Sequence, residues 1–543
     1  MSNLLVELNP AARARMMPVT QEGRYPNLAV KFLILGLVER HFPHRARMTG
    51  FSGEKFDVLV IGGGITGCGV ARDAAMRGLR VALFERDDFA SGTSGRSSRL
   101  VHGGIRYLEQ GRLHLVHESI RERQTLLRIA PHLVRPLAFT WPIYRGARVG
   151  RVKLSAGLLV YYLMAIGRSR RHLTLNAAET VAREPSLRRA GLTGGAVYYD
   201  ACTDDARLTV ANAIAAKESG ATVVNHARVQ RLLVEGEKAV GAMVTTTLSG
   251  ESHEVRARII VNATGVWESG FGSDAHARAH RGSKGVHISV PRERIGNNDA
   301  LTLISPIDGR VMFCLPAGPQ AIIGTTDTWT DDPPESVHAS TADLDYLIRS
   351  ANAYFPNAQL TSADVVSAWA GIRPLTNAEA SNPGAVSREH SIVTDGSGVI
   401  TVTGGKLTTY RSMAAEIVDH VQRSLGQKCE RSPTDSVELP GGDRAKQIAA
   451  LQGGDASLAE PLAEPLPYTG AHLVYGVRSE MALTLSDLLI RRTHLAFETR
   501  DHGLSVAPRA AEIVAPLLSW SAETKAARIR EFKEDVGLIF AIT

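Results

Sequence analysis

The sequence predicts an α/β chain. Its parts are a doubly wound core, an antiparallel sheet inserted between the halves of that core, and a helical C-terminal region. Three observations carry the prediction. FDVLVIGGGITGCGVARDAAMRGLRVALFER (Phe56–Arg86) reads apolar strand, tight glycine turn, helix, and a second apolar strand at Arg80–Glu85, which is a βαβ unit. From Val286 onward come short β-type runs: VHISV, VMFCL, AIIGTTD and VVSAWAGI. After LPGG (Leu439–Gly442) the composition shifts to Ala, Leu, Glu and Arg as far as Thr543.

Residues 1–50 precede the first strand as an N-terminal extension. Within them NLAVKFLILGLVE (Asn27–Glu39) suits an apolar helix beside basic residues. The alternatives are an arm packed on the body, or a start codon misassigned upstream of Met48.

Gly62, Gly64 and Gly67 form GxGxxG between the first strand and its helix. Glycines there permit the tight turn and the approach of a pyrophosphate, which the helix N-terminus then holds. Glu85 ends the second strand, eighteen residues beyond Gly67. A carboxylate there accepts ribose hydroxyls and repels a 2′-phosphate. The motif predicts a dinucleotide and leaves FAD or NAD open.

VKLSAGLLVYYLMAIGRSRRH (Val152–His172) holds an uncharged, mostly apolar run of thirteen residues from Leu154 to Ile166. As helix it is about 20 Å long, too short to span a bilayer. Lys153, Arg151, Arg168, Arg170 and Arg171 suit anionic headgroups, and Tyr161 and Tyr162 suit an interface, so the segment reads as a membrane-surface helix. A buried helix with basic ends is the alternative. Asp204–Leu233 reads helix then strand, and RARIIVNATGVWES (Arg256–Ser269) reads strand then small-residue turn. TGGKLTTYR (Thr403–Arg411) is a second glycine turn opening a helix, whose N-terminal N–H groups can stabilise negative charge.

The 543 residues are long enough for two or three domains, and 44% hydrophobic with 22% charged is an ordinary globular composition. The net charge of +7 is unevenly placed. Residues 1–50 carry seven Lys/Arg against three Glu, and residues 145–172 carry seven with no acid, so the remainder is net acidic. That distribution argues against a nucleic-acid binder. Cys68, Cys202, Cys314 and Cys429 show no CxxC spacing, so neither a zinc site nor a disulfide framework is signalled, and a reducing compartment is expected. No run is apolar for long enough to make a transmembrane helix, and the N-terminus lacks a secretory-signal pattern.

At this point IGGGITGCGVARDAAMRGL, SSRLVHGGIRYLE, DDARL, NATG, KGVHISVP, IIGTTD, AGIRPL, SREHSI and GGKLTTYR stand in one order between Phe56 and Ala415. In these motifs the chain resembles the FAD-dependent sn-glycerol-3-phosphate dehydrogenases, the membrane-associated branch of the D-amino-acid-oxidase-like flavoproteins. LPGG and LIRRT (Leu489–Thr493) extend the likeness more weakly; the first fifty residues lie outside it.

The resemblance implies a discontinuous Rossmann-like FAD-binding domain with an antiparallel substrate domain and a helical C-terminal cap. On this sequence they fall at 51–130, 195–270 and 365–425; at 131–194 and 271–364; and at 430–543. It also implies electron delivery to membrane quinone and a peripheral place at the inner, cytoplasmic face of the cytoplasmic membrane. Homodimers occur in the family.

Oxidising glycerol 3-phosphate takes cations for the phosphate and a base for the hydroxyl proton. The resemblance implies that Arg106, Arg373, Arg388 and Lys406 line the substrate site, with Tyr107 nearby. His287, on a strand of the substrate domain, is the expected base, with Arg373 assisting electrostatically. Ser97, Ser98, Leu100, His102, Gly103 and Gly104 are expected against the flavin from one side. Thr264, Gly265, Gly405, Leu407 and Thr408 are expected from the other. Thr325 and Thr326 suit an outer supporting role; Arg96 and Arg99 stay unassigned. No metal is expected. The rival readings are a glycerol-3-phosphate oxidase using O2, an amine or amino-acid oxidase of the same fold, and a flavin-bound interaction protein without turnover.

Overall fold

The computed structural model describes residues 55–109, 111–165, 171–271, 282–373 and 389–543, without the side chains of Arg106 and of residues 268–270. The extension with Met48, and Arg388, lie outside the described residues.

Strand β1 (Lys55–Ile61) is buried on both faces, as expected of a central parallel strand. It pairs in parallel with β2 (Val81–Phe84) and β10 (Ser252–Asn262). Outside these, β7 (Thr222–Val224) adds to β2, and β18 (Val399–Gly404) adds to β10, both in parallel. β17 (His390–Thr394) closes one edge antiparallel to β18. Alternation along β1 sends Val58 and Val60 to one core and Leu59 and Ile61 to the other.

The first core is roofed by helix α1 (Ile65–Met76), with α4 (Asp205–Glu218) and α5 (Tyr410–Ser424) packed beside it. The other face differs from the doubly wound expectation. It is covered by the antiparallel strands β8 (Ala227–Glu235) and β9 (Lys238–Thr246), which run on into β10. Val229, Val244 and Val255 bury their branched side chains there.

The second sheet has ten strands. β4 (Val134–Tyr144) and β6 (Leu192–Thr203) pair antiparallel along nearly their whole length, with β3 (Leu100–Val101) and β5 (Leu173–Asn176) added to β6. β12 (Ala300–Ile304), β13 (Val311–Ala317) and β14 (Gln320–Gly324) form a meander leading to β11 (Gly282–Pro291). β15 (Thr328–Thr330) and β16 (Ser367–Arg373) also pair with β11. Thus β3, β6 and β16 belong to this sheet, although the sequence boundaries drew β3 and β16 wholly, and most of β6, into the nucleotide domain. The long β4–β6 and β11–β16 registers decide it, and pairing partners are not written in local sequence.

Two further helices matter to the site: α2 (Leu113–Ile129) and α3 (Arg151–Met164). The C-terminal region is helical, with α6 (Gly470–Ser479), α7 (Ala507–Leu518) and α8 (Ala522–Phe540). It docks on the nucleotide half through LIRRT. Arg491 and Arg492 reach Asp88 just beyond β2 at 2.6 and 2.7 Å, all three side chains nearly or fully excluded from solvent. Arg207 of α4 pairs with Glu480 at 2.5 Å. The four cysteines are unpaired thiols.

Candidate active site

The turn after β1 and the N-terminus of α1 open onto a cavity of about 700 Å³ lined from both sheets. That volume lies within the range of cofactor sites. Gly62 has φ +104°, and a Cβ there would stand 2.7 Å from the Ala263 carbonyl oxygen, so only glycine lets the turn and NATG close on each other. Gly67 works differently from expectation. Its Cα faces the Gly62 carbonyl, where a Cβ would come to 1.9 Å, and it is not in the cavity wall. It seats the helix on the turn, while Gly62, Gly64, Ile65 and Thr66 make the wall.

Ser94 Oγ accepts the Ile65 N–H at 2.9 Å and so satisfies one of the donors at the helix start. Glu85 is also in the wall, yet its carboxylate accepts the N–H of Gly63 at 2.5 Å and of Asp87 at 2.8 Å. Burial pushes its pKa up to about 7 against the pull of those two donors.

Ser97, Ser98, Leu100 and His102 line the same cavity. Ser97 gives its hydroxyl to Asp205 at 2.6 Å, which uses the DDARL motif to fix the loop. Ser98 Oγ lies 2.8 Å from His287 Nε2. Gly103 corrects the expectation: it touches neither cavity described, donates its N–H to Asp200 at 3.1 Å, and is bare because Tyr161 occupies the space of a Cβ. Gly104 lines a second cavity rather than the first. On the far wall stand Thr264, Gly265, Gly405, Lys406, Leu407 and Thr408. The Thr264 hydroxyl donates to Asn262 Oδ1 at 2.7 Å, and Thr408 Oγ1 accepts the His102 N–H at 3.2 Å.

His287 is 3% exposed and lies flat on Trp369, with centroids 5.5 Å apart and 13° between planes. Its Nδ1 has no hydrogen-bond partner among the described residues. Burial, and next the cations Arg373 and Arg99, lower its pKa to about 3, so the ring is neutral across the working range. Arg373 lines both cavities, while Lys406 sets its Nζ 4.1 Å over the Tyr107 ring. Arg106 starts a short helix directly before Tyr107; its side chain is outside the described set.

The second cavity, about 260 Å³, shares Ser98, Leu100, His102, Tyr107 and Arg373 with the first. Its remaining wall includes Phe139, Trp141 and Phe313 from the second sheet, and Lys153, Leu154 and Gly157 from α3. The other side of α3 exposes Val152, Leu159, Val160 and Leu163. Tyr161 is not among them, contrary to expectation. It is 4% exposed and donates to Asp200 at 2.6 Å. Among the described residues no helix is long and apolar enough to cross a membrane.

Pairings across the fold bring in residues that the sequence motifs left without a role. Asp327 lies between Arg373 and Arg310. Trp267 donates to Glu335 at 2.5 Å at the cavity edge, with Arg86 over its ring. Arg99 lies over the rings of Trp369 and Phe497. Asp88, His226 and Asp487 cluster closely enough to suggest a metal, but Arg491 bonds both acids and His226 bonds Asp487, which gives them an ion-pair role.

The residues present fit FAD. The Gly62 cradle leaves room where a Cβ would stand, the α1 N-terminus favours a pyrophosphate, and the volume suits a dinucleotide. Gly62, Gly64 and Glu85 would hold its nucleotide end, and Ser98, Leu100, His102, Gly405 and Leu407 its ring end.

Comparison with known proteins agrees with this geometry. The FAD dependent oxidoreductase family model matches residues 57–411, and that of the C-terminal domain of alpha-glycerophosphate oxidase matches residues 439–525. The chain is 39% identical over 509 residues to glycerol-3-phosphate dehydrogenase 2 of Mycobacterium tuberculosis, covering 86% of each. It is 35% identical over 523 residues to the aerobic glycerol-3-phosphate dehydrogenase of Staphylococcus saprophyticus, covering 88% of this chain and 94% of the relative. Among solved structures it is similar to the glycerol-3-phosphate dehydrogenase of Bacillus halodurans complexed with FAD. There the TM-score is 0.72 at 30% identity, with 90% of this chain and 96% of that one covered.

Proposed function

The chain belongs to the FAD-dependent glycerol-3-phosphate dehydrogenases, and on that premise we propose that it oxidises sn-glycerol 3-phosphate to dihydroxyacetone phosphate and delivers the electrons to membrane quinone. One observation carries the chemistry: a buried, neutral imidazole, His287, shares a cavity wall with Arg373 and Lys406. Bound FAD supplies the two-electron acceptor for the C2 hydrogen. Arg373, Lys406, Arg106 and Arg388, with Tyr107, hold the phosphate; a guanidinium fork grips two of its oxygens at once. His287 takes the hydroxyl proton as the carbonyl forms; burial and the neighbouring cations leave its ring unprotonated, in the form that can accept. Arg373 favours the developing alkoxide.

Helix α3, whose outer side is apolar and whose ends are basic, supports the membrane half of the proposal; its inner side lines the second cavity beside residues shared with the first. We read α3 as lying on the inner face of the cytoplasmic membrane, anionic headgroups meeting Arg151, Lys153 and Arg171. A homodimer is part of the proposal on family grounds alone. Purified enzyme given glycerol 3-phosphate and a short-chain quinone should reduce the quinone with little peroxide. Fast peroxide production with negligible quinone reduction would make it an oxidase instead.

A further inference from the structure

We propose that Asp327 is a positioning residue that holds Arg373 and Arg310 together as one cationic wall for the substrate phosphate, which makes Arg310 a further determinant of substrate affinity. The inference rests on the reading above, in which Arg373 binds that phosphate.

The arrangement is built from three places in the second sheet. Asp327 follows β14, Arg373 ends β16, and Arg310 precedes β13. One Asp327 carboxylate oxygen takes Arg373 Nη1 at 3.1 Å and also the Ser283 hydroxyl; the other lies 3.3 Å from Arg310 Nη1. The Asp327 carbonyl accepts Arg310 Nη2 at 3.2 Å. Arg373 Nη2 donates to Thr325 Oγ1 at 3.0 Å. Gly285 makes room for this fork, since a Cβ there would meet Arg373 Nη2 at 2.4 Å. The Asp327 side chain is 3% exposed, against 21% for Arg373 and 17% for Arg310, so the acid is enclosed and the two cations show a face. All three line the second cavity, and of the three only Arg373 also lines the first.

Two guanidiniums flank the enclosed Asp327 carboxylate; Arg310 also reaches the more exposed Asp308 at 3.4 Å, so the uncompensated charge of the wall lies mainly on Arg373. A held guanidinium loses little further freedom on binding an anion, whereas a loose one must be ordered first. Simple charge counting predicts the opposite of positioning. Removing the Asp327 charge makes the wall more positive and should tighten a dianion. Positioning predicts weaker binding, because both forks lose their anchor. The sign of the change therefore decides between them.

The test is steady-state kinetics of the FAD-loaded enzyme, with inorganic phosphate as competitive inhibitor, for Asp327→Asn, Asp327→Glu, Arg310→Gln and Arg373→Lys. Asp327→Asn is expected to raise KM and the phosphate inhibition constant together by roughly tenfold or more, the scale of a charge-assisted hydrogen bond. The effect on kcat should be smaller and the flavin content unchanged. Asp327→Glu should recover part of the affinity, and Arg310→Gln should raise KM in the same direction. An unchanged or lowered KM in Asp327→Asn, while Arg373→Lys raises it, overturns the positioning role alone. An unchanged KM in Arg373→Lys overturns the underlying reading with it. If Asp327→Asn does not fold, Arg310→Gln decides: a raised KM supports the wall, and an unchanged KM overturns it.

Discussion

Four neighbours act on the buried His287 ring: Trp369 fixes its plane, Ser98 takes one nitrogen, and Arg373 and Arg99 add to burial in disfavouring its proton. A pKa lowered to about 3 means the base form persists as pH falls, and it is lost only on the acid side of the usual range. The substrate phosphate dianion, by contrast, takes up its first proton near pH ~6. The plot of log kcat/KM against pH should therefore fall below about pH 6 with a slope of one proton. A slope of two would mean that His287 titrates at its ordinary value. His287→Ala and Arg373→Ala should each keep bound FAD while losing turnover by about 10²–10⁴-fold; near-normal turnover in both removes the assignment. The family resemblance carried by the motifs marked Arg373 and Lys406 as candidates, and residue type on a substrate-domain strand marked His287. The partner of Ser98 was not legible, because it lies 189 residues away and only the folded sheet brings the two together. Asp327 escaped for the same reason: Arg373 ends one strand and Arg310 stands just before another.

Among the elements, α3 combines two sides with different tasks. Leu154, Leu158 and Tyr161 follow helical spacing into the core, while Val152, Leu159 and Leu163 face outward, Val152 being 85% exposed. Replacing Leu159 and Leu163 by Ser should release the enzyme from anionic vesicles in a flotation assay. Turnover with a water-soluble dye should stay within about twofold, since surface substitutions of this kind are mild. Retained vesicle binding would place the membrane contact elsewhere. The helix was legible as an apolar run with basic ends, but composition alone put Tyr161 on the wrong side. Its i, i+4, i+7 spacing from Leu154 and Leu158 carried the correct signal. In the nucleotide half, the βαβ unit was legible because a parallel central strand is a continuous apolar run. The β8–β9 cover over the opposite face was not, because half-buried antiparallel strands do not say which sheet they cover.

For the whole molecule, buried charge joins the C-terminal region to the nucleotide half. Asp88 receives Arg491 and Arg492. His226 bonds Asp487 beside them at 3.0 Å. Removing one partner of such a set leaves uncompensated buried charge, so Asp88→Ala should cost about 3–5 kcal/mol of stability. The holoenzyme's thermal unfolding midpoint would fall accordingly; an unchanged midpoint would show the cluster to be dispensable. The C-terminal helices were legible from composition, but the docking was not, since LIRRT reads as an ordinary basic segment until Asp88 is placed opposite it. We propose that one cavity binds FAD and that glycerol 3-phosphate is oxidised there beside His287 and the arginines. The most direct test is anaerobic titration of the FAD-loaded enzyme with sn-glycerol 3-phosphate, followed by flavin absorbance. Bleaching is expected in the intact enzyme, and its loss, with FAD still bound, in His287→Ala. A flavin that stays oxidised in the intact enzyme under excess substrate would contradict the proposal.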